Sequence, residues 1–218
     1  AEMADASDVD GTTISFWHSM GGVNGEALDT LVKQFNEENE YGITVDAQYQ
    51  GEYDDSLNKL KSAQIGNMGA DLVQVYEIGT RFMIDSGWIV PMQEMIDGDG
   101  YDLSQIEPNL AAYYTIDNEL YSMPFNSSTP ILYYNKDMFE KAGITEVPDS
   151  LEGIGEIGQQ LLDNGGAGEA MSMGIYGWFF EQLISKQGLE YANNGNGRKE
   201  AATAVAFDEN GAKPLSFR

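Results

Sequence analysis

What most limits the folding of this chain is the alternation of strand-like and helix-like segments through its first half. Thr12-Thr13-Ile14-Ser15-Phe16-Trp17 alternates polar and apolar residues and is rich in β-formers, so it predicts a strand. Gly21 and Gly22 break it. Leu28, Leu31, Val32 and Phe35 then recur at i, i+3, i+4 and i+7, which predicts a helix from Glu26 with that stripe facing a core. Glu37, Glu38 and Glu40 crowd its C-terminal end, where the helix dipole favours cations, and Gly42 supplies the stop. Ile43, Val45, Ala47 and Tyr49 alternate as a second strand. Leu57, Leu60 and Ala63 mark a second helix, ended by Gly66 and Gly69. Ala70 to Tyr76 is a near-continuous apolar run, which predicts a central strand covered on both faces. Phe82, Met83, Trp88 and Ile89 flank a further short helix. Strands separated by helices at this spacing imply right-handed βαβ units and a parallel sheet.

The pattern changes near residue 98, where Gly98, Gly100 and Pro108 bracket an irregular stretch. Leu120 to Met123 and Ile131 to Tyr134 predict strands on either side of Pro124-Phe125-Asn126-Ser127-Ser128-Thr129-Pro130. Lys136 to Ala142 predicts a short helix ended by Gly143. Leu151, Ile154, Ile157, Leu161 and Leu162 repeat with helical spacing, as do Phe179, Phe180, Leu183 and Ile184. Only a short strand around Thr203 to Phe207 is expected after Gly188. The expected organisation is an acidic leader over 1–12, an α/β lobe over 13–119, a crossing segment over 120–131, and a partial second α/β lobe over 132–218. The last of these carries a divergent, near-neutral tail from about residue 198.

Charge and composition exclude several classes of function. The 218 residues hold 36 acids against 11 bases, a formal charge of −25, and this argues against binding nucleic acid or an anionic lipid surface. With no cysteine, disulfides, thiolate metal sites and cysteine nucleophiles are ruled out. His18 is the single histidine, too few for a multi-histidine metal site. No apolar run approaches a membrane span, and the opening AEMADASDVDGTT does not have the form of a signal peptide.

The motifs that could carry chemistry fail on context. Gly153, Gly155 and Gly158 match the GxGxxG spacing, but Pro148-Asp149-Ser150 precedes them instead of a strand, and the isoleucines between them continue a helical stripe. Asp97-Gly98-Asp99-Gly100 starts like a calcium loop, yet Tyr101 and Pro108 stand where ligands are needed, so it is taken as an acidic turn. No GxSxG elbow and no P-loop lysine motif occurs. No acid and nucleophile can be placed beside His18, so its expected role is structural or pocket-lining. Asn126-Ser127-Ser128 fits a glycosylation sequon, a pattern common by chance.

Four segments have the character of a pocket. Trp17-His18-Ser19-Met20-Gly21-Gly22, Gly51-Glu52-Tyr53-Asp54-Asp55 and Val75-Tyr76-Glu77-Ile78-Gly79-Thr80 each pass from the end of a strand into a helix. Ligands of open α/β sheets bind at such strand ends. The fourth, Phe125 to Pro130, lies where the chain passes between the two expected lobes. Tyr176 and Trp178 beside a glycine turn fit either buried core or an aromatic ligand surface.

These same residues carry a family resemblance. Phe16-Trp-His-Ser-Met20, Gln74-Val-Tyr-Glu-Ile-Gly-Thr80, and Pro124-Phe-Asn-Ser-Ser-Thr-Pro130 with Tyr133-Tyr-Asn-Lys-Asp137 resemble the extracellular solute-binding proteins of carbohydrate-type ABC importers. Within that family they are most similar to the subgroup for sn-glycerol-3-phosphate and glycerophosphodiesters. The resemblance runs from about Thr13 to Asn194. It implies an α/β fold of the periplasmic-binding-protein type II, a two-lobed clamshell with an N-lobe plus an incomplete second lobe. It further implies a non-enzymatic role outside the cytoplasm, in the periplasm or as a processed cell-surface lipoprotein. The partners implied are a small-molecule ligand and the permease subunits of the importer, without a cofactor or metal. Ligand contacts carry over to Tyr53, Glu77 and Ser128, with Trp178 stacking on the ligand; Trp17, His18 and Ser19 are expected to line the pocket.

Glu77 as a carboxylate accepts hydroxyl protons, Ser128 donates, and Tyr53 offers an apolar face and a phenolic O–H. Departures from the family pattern are the length, about half of what relatives have, and the tail from Arg198. A truncated chain with exposed apolar surface, prone to self-association, is the expectation. The same surface would also suit an oligosaccharide. A phosphodiester hydrolase on the same fold would want a metal cluster or a base–nucleophile pair, and neither can be assembled from these residues.

Overall fold

A computed structural model describes residues 8–66, 68–174 and 177–208. The first seven residues of the acidic leader, Tyr176 and the last ten residues of the tail lie outside the described residues. The chain divides into two units, the first running to Ser127 and the second beginning at Ser128.

The first unit is built around β1 (Thr13–His18), which pairs in parallel with β2 (Thr44–Tyr49) on one side and β3 (Leu72–Val73) on the other, in the order β2-β1-β3. Helix α1 (Gly22–Glu38) connects β1 to β2, and α2 (Tyr53–Ile65) connects β2 to β3. The run Ala70 to Tyr76 is thus not a covered central strand. Only Leu72 and Val73 join the ladder, at its edge, and Leu72 is 48% exposed. The cause is local. The Asp71 carboxylate takes the Ser15 N–H at 2.9 Å and the Ser15 hydroxyl at 2.6 Å, so a side chain replaces the backbone ladder there. Those two bonds also hold the Asp71 carboxyl below its ordinary range.

The outer edge of β2 is closed by asparagines from the end of α1. Asn36 accepts the Val45 N–H at 2.7 Å and donates to the Val45 carbonyl at 3.0 Å; Asn39 does the same for Ile43 at 3.0 and 2.9 Å. These primary amides imitate a neighbouring strand and cover the first part of that edge, at Ile43 and Val45. Glycine is required at position 25, where a Cβ would meet the Met20 carbonyl oxygen at 2.8 Å as α1 turns back over the end of β1.

After a single 3-10 turn at Glu77–Gly79 come α3 (Thr80–Ser86), α4 (Met92–Asp99) and α5 (Pro108–Tyr114). The stretch expected to be irregular is so: between the end of α4 at Asp99 and the start of α5 at Pro108 it holds only a 3-10 turn at Leu103–Gln105. Pro108 sits in the first turn of α5, where its missing N–H costs nothing. A two-residue hairpin follows, β4 (Thr115–Ile116) with β5 (Glu119–Leu120), turned by left-handed Asp117 and Asn118. The strand expected from Leu120 to Met123 shrinks to its first residue.

Phe16, Leu28, Leu60, Met83, Ile96, Ile116 and Leu120 form the buried apolar core of this unit. Of the α1 stripe only Leu28 is buried: Leu31 is 60% exposed and Phe35 43%. His18 is buried too, its ring 5.6 Å from Phe16 and 6.0 Å from Tyr49, and its Nδ1 accepts the Met20 N–H at 3.3 Å. Burial lowers its pKa and Asp29 opposes that, so the neutral ring with its proton on Nε2 is the folded form.

The second unit is helical among its described residues. It contains α6 (Lys136–Lys141), α7 (Leu151–Gln160) continuing into a π turn at Leu161–Gly165, and α8 (Gly177–Lys186). Ser150 caps α7 by accepting the Gly153 N–H, and Gly153, Gly155 and Gly158 all lie inside the helix, not in a phosphate loop. Residues 131–134 form no strand. Ile131, Leu132, Tyr133 and Tyr134 are exposed, with Tyr133 at 88%. The strand expected around Thr203 to Phe207 is one antiparallel bridge, Ala192 with Val205. Beside it Phe180, Tyr191 and Phe207 pack with ring centroids 5.1–6.0 Å apart. No helix among the described residues is long and apolar enough to cross a membrane.

Two outcomes follow. Leu60→Ala, at a site 2% exposed, should destabilise the chain by about 2–5 kcal/mol, whereas Leu31→Ala should cost about 0.5 kcal/mol or less; urea denaturation compares them. Because the folded pKa of His18 lies below its unfolded value, its contribution is fully present above about pH 6.5 and is lost as pH falls through the folded value. The melting temperature should therefore drop between about pH 7.5 and 5.5, and His18→Asn should flatten that part of the profile.

Candidate functional site

The ends of the three parallel strands place the candidate residues of the first unit on one side of the sheet. β1 ends at His18 and hands the chain to Ser19; β2 ends at Tyr49, and a Gly51 turn with φ +94° leads into α2, whose first residue is Tyr53. β3 leads through Gln74 and Tyr76 to the 3-10 turn that begins with Glu77. Carboxyl ends of parallel strands are where open α/β sheets bind ligands, since backbone groups and helix starts converge there.

A chain of side-chain hydrogen bonds ties these ends together. The Ser19 N–H donates to Gln74 Oε1 at 2.9 Å, Gln74 Nε2 donates to Asn126 Oδ1 at 2.8 Å, and Asn126 Nδ2 donates to the Tyr53 hydroxyl oxygen at 3.2 Å. Gln74 and Ser19 are buried, and the Ser19 hydroxyl has no partner. The Tyr53 ring stacks on Tyr76 at 5.5 Å and 9°, and the Tyr76 hydroxyl is anchored on the Asp54 carboxylate. Phe125 meets Phe16 edge-on at 6.1 Å, which fixes the residue before Asn126.

Glu77 and Tyr53 both lie near Tyr114 of α5. Burial raises the Tyr114 pKa, and the charge of Glu77 adds to the rise, so Tyr114 remains a protonated donor. Trp17 and His18, expected to line a pocket, are placed differently. The Trp17 indole donates to Gln48 of β2 at 3.1 Å, and His18 is packed into the core between Phe16 and Tyr49. Ser19 does reach the polar chain. In the second unit Ser128 is exposed beside the unit boundary, and Trp178 is half-buried at the start of α8 with its ring 5.7 Å from Phe179. Tyr76, Tyr114, Gln74 and Asn126 were not singled out as contacts by sequence reasoning. The signal for Gln74 and Asn126 was present, since each lies inside a quoted motif. An open depression lined by Gln50, Gly51, Asp55, Asn58, Lys59 and Ser62 takes in both ends of the Gly51–Asp55 segment but not Tyr53 itself.

The arrangement suits recognition by hydrogen bonding. Tyr53 and Tyr114 offer donors, Glu77 an acceptor, and the tyrosine faces apolar surface. Among the described residues there is no group of three metal-ligating side chains, and the Asp97–Gly100 segment forms the C-terminal turn of α4.

Comparison with known proteins identifies the family. Over residues 21–215 the chain matches the family described as bacterial extracellular solute-binding protein. It is 38% identical over 218 residues to the sn-glycerol-3-phosphate-binding periplasmic protein UgpB of Escherichia coli O1:K1 / APEC, covering 96% of this chain and 48% of that protein. UgpB of Salmonella typhimurium LT2 is also 38% identical, over 207 residues, covering 91% and 46%. The chain thus spans about half the length of the curated relatives it matches. Among solved structures, UgpB from Mycobacterium tuberculosis in complex with glycerophosphocholine is 27% identical with a TM-score of 0.63, over 68% of this chain and 38% of that one. The substrate-binding protein Lmo0181 from Listeria monocytogenes in complex with cycloalternan has a TM-score of 0.65 at 20% identity, over 85% and 47%, a likeness of fold. The fold is that of the type II solute-binding proteins, non-enzymatic and extracytoplasmic as a family. With the family match extending over most of its length, the chain belongs to the bacterial extracellular solute-binding proteins.

Proposed function

We propose that the chain is part of the solute-binding component of an ABC importer, capturing sn-glycerol-3-phosphate or a glycerophosphodiester and delivering it to permease subunits. The observation that carries this reading is the convergence at the strand ends of Tyr53 and of Glu77, the residue after the Tyr76 on which Tyr53 stacks, in a chain 38% identical to proteins named for glycerol-3-phosphate. Glu77 accepts the two glycerol hydroxyl protons, Tyr53 packs against the glycerol backbone, and Ser128 donates to a phosphate or hydroxyl oxygen. Trp178 stacks on the ligand from the second lobe. Residues 120–131 form the first crossing between the lobes, whose closure signals the permease.

An oligosaccharide is the second reading, favoured by the likeness to the cycloalternan-bound protein and by the aromatic surface of Tyr53, Tyr76 and Tyr114. Calorimetry and thermal shift against glycerophosphocholine, sn-glycerol-3-phosphate and maltose separate the two. A phosphate ester at about 100 times its dissociation constant should stabilise the chain by about 2.7 kcal/mol, and maltose should give no shift. Glu77→Ala should abolish the shift, and an unchanged shift would remove Glu77 from the site. Glycerophosphocholine should come through incubation unaltered; turnover would overturn a role in binding alone.

A further inference from the structure

We infer that the hydrogen-bond chain from Ser19 to Tyr53 has one direction, and that this direction turns the Tyr53 hydroxyl into an outward donor selective for an acceptor oxygen such as that of a phosphate ester. The inference rests on the reading that Tyr53 contacts ligand, and it names what Tyr53 contributes there.

The direction follows from the first link. A backbone N–H can only donate, so the Ser19 N–H forces Gln74 to turn its Oε1 toward β1. Gln74 is buried, so no bulk water competes for its amide, and its Nε2 is left to donate to Asn126 Oδ1. Asn126 must then present its Nδ2 to Tyr53. The phenolic oxygen, having accepted on one side, carries its own hydrogen on the other. No acceptor among the described residues takes that hydrogen. The stack on Tyr76, itself anchored to Asp54, keeps the ring from swinging toward another partner.

The electrostatics of the first unit make such a donor matter. Its four bases are all engaged: Lys33 with Glu37 at 3.9 Å, Lys59 with the Gln50 carbonyl at 2.8 Å, Lys61 over the Phe82 ring at 4.6 Å, and Arg81 with Asp85. The chain from Ser19 through Gln74 and Asn126 to Tyr53 carries no cation itself, so it meets a phosphate through neutral dipoles. An oriented hydroxyl does so without a counter-charge and resists a ligand that offers only donors.

The test is a double-mutant cycle on the whole chain, read by calorimetry with glycerophosphocholine. Tyr53→Phe should weaken binding about tenfold. Asn126→Asp keeps the shape but accepts the Tyr53 hydroxyl proton, turning it inward. It should weaken binding at least as much when Tyr53 is present and much less in the Tyr53→Phe background, which subtracts the added charge. Gln74→Met cuts the chain without adding charge and should cost several-fold only when Tyr53 is present. Additive losses would overturn the inference while leaving Tyr53 in the site; an affinity unchanged by Tyr53→Phe would remove Tyr53 from the site itself. A ligand-free arm uses 13C-tyrosine NMR: Asn126→Asp should shift the Tyr53 ring resonances and leave those of Tyr133 in place. An unmoved Tyr53 would also overturn the inference.

Discussion

β1 is the strand whose backbone is paired on both sides, and the first unit hangs from that double pairing. Six residues pair with β2 but only two with β3, so the ladder on the second side is too short to satisfy its own ends. Unpaired backbone groups shut away from water cost about 1–3 kcal/mol each. Side chains make up the difference. Asp71 closes the ladder at one end by binding Ser15, and Gln74 closes it at the other by accepting from Ser19. The Gln74 N–H meanwhile donates to the Trp17 carbonyl at 2.9 Å. The residue that completes the sheet is thus also a link in the polar chain of the candidate site.

The formal charge of −25 sets a second condition. Its long-range field disfavours an anion, although exposed charges are screened beyond about 8–10 Å at physiological salt. At short range the candidate site of the first unit presents neutral hydrogen-bonding groups, the Tyr53 and Tyr114 phenols among them. Tyr114 fits this logic, since burial and the neighbouring Glu77 keep its phenol protonated. His18 does not belong to it. Neutral and buried against Phe16, it holds the turn after β1 through the Met20 N–H.

The parts of the fold legible in the sequence are those whose signal is periodic. β1, β2, α2 and α7 stand where alternation or helical spacing put them, because local burial and local propensity agree there. Ala70 to Tyr76 misleads because an apolar run reports that a strand wants cover, not whether a neighbour pairs with it. Leu31 and Phe35 mislead similarly: their spacing defines a face, and tertiary packing decides what covers it. Residues 131–134 carry strand-like composition, yet strand structure needs a partner ladder that no described residue supplies. Tyr53 and Glu77 were singled out through motifs, and the structure places both at the carboxyl ends of the parallel strands. The relay was not, because Ser19, Gln74, Asn126 and Tyr53 are far apart in sequence and meet only when β1, β3 and the start of α2 are assembled.

The bare face of α1 bears on how the molecules treat each other. Val23, Leu31 and Phe35 present oily surface to water on a particle that carries a large excess of one sign of charge. Dispersion in dilute buffer then rests on mutual repulsion between particles, not on a fully wetted surface. A suspension held that way behaves as a charged colloid. Added electrolyte shortens the reach of the repulsion to about 3 Å at 1 M and leaves the adhesive faces free to meet.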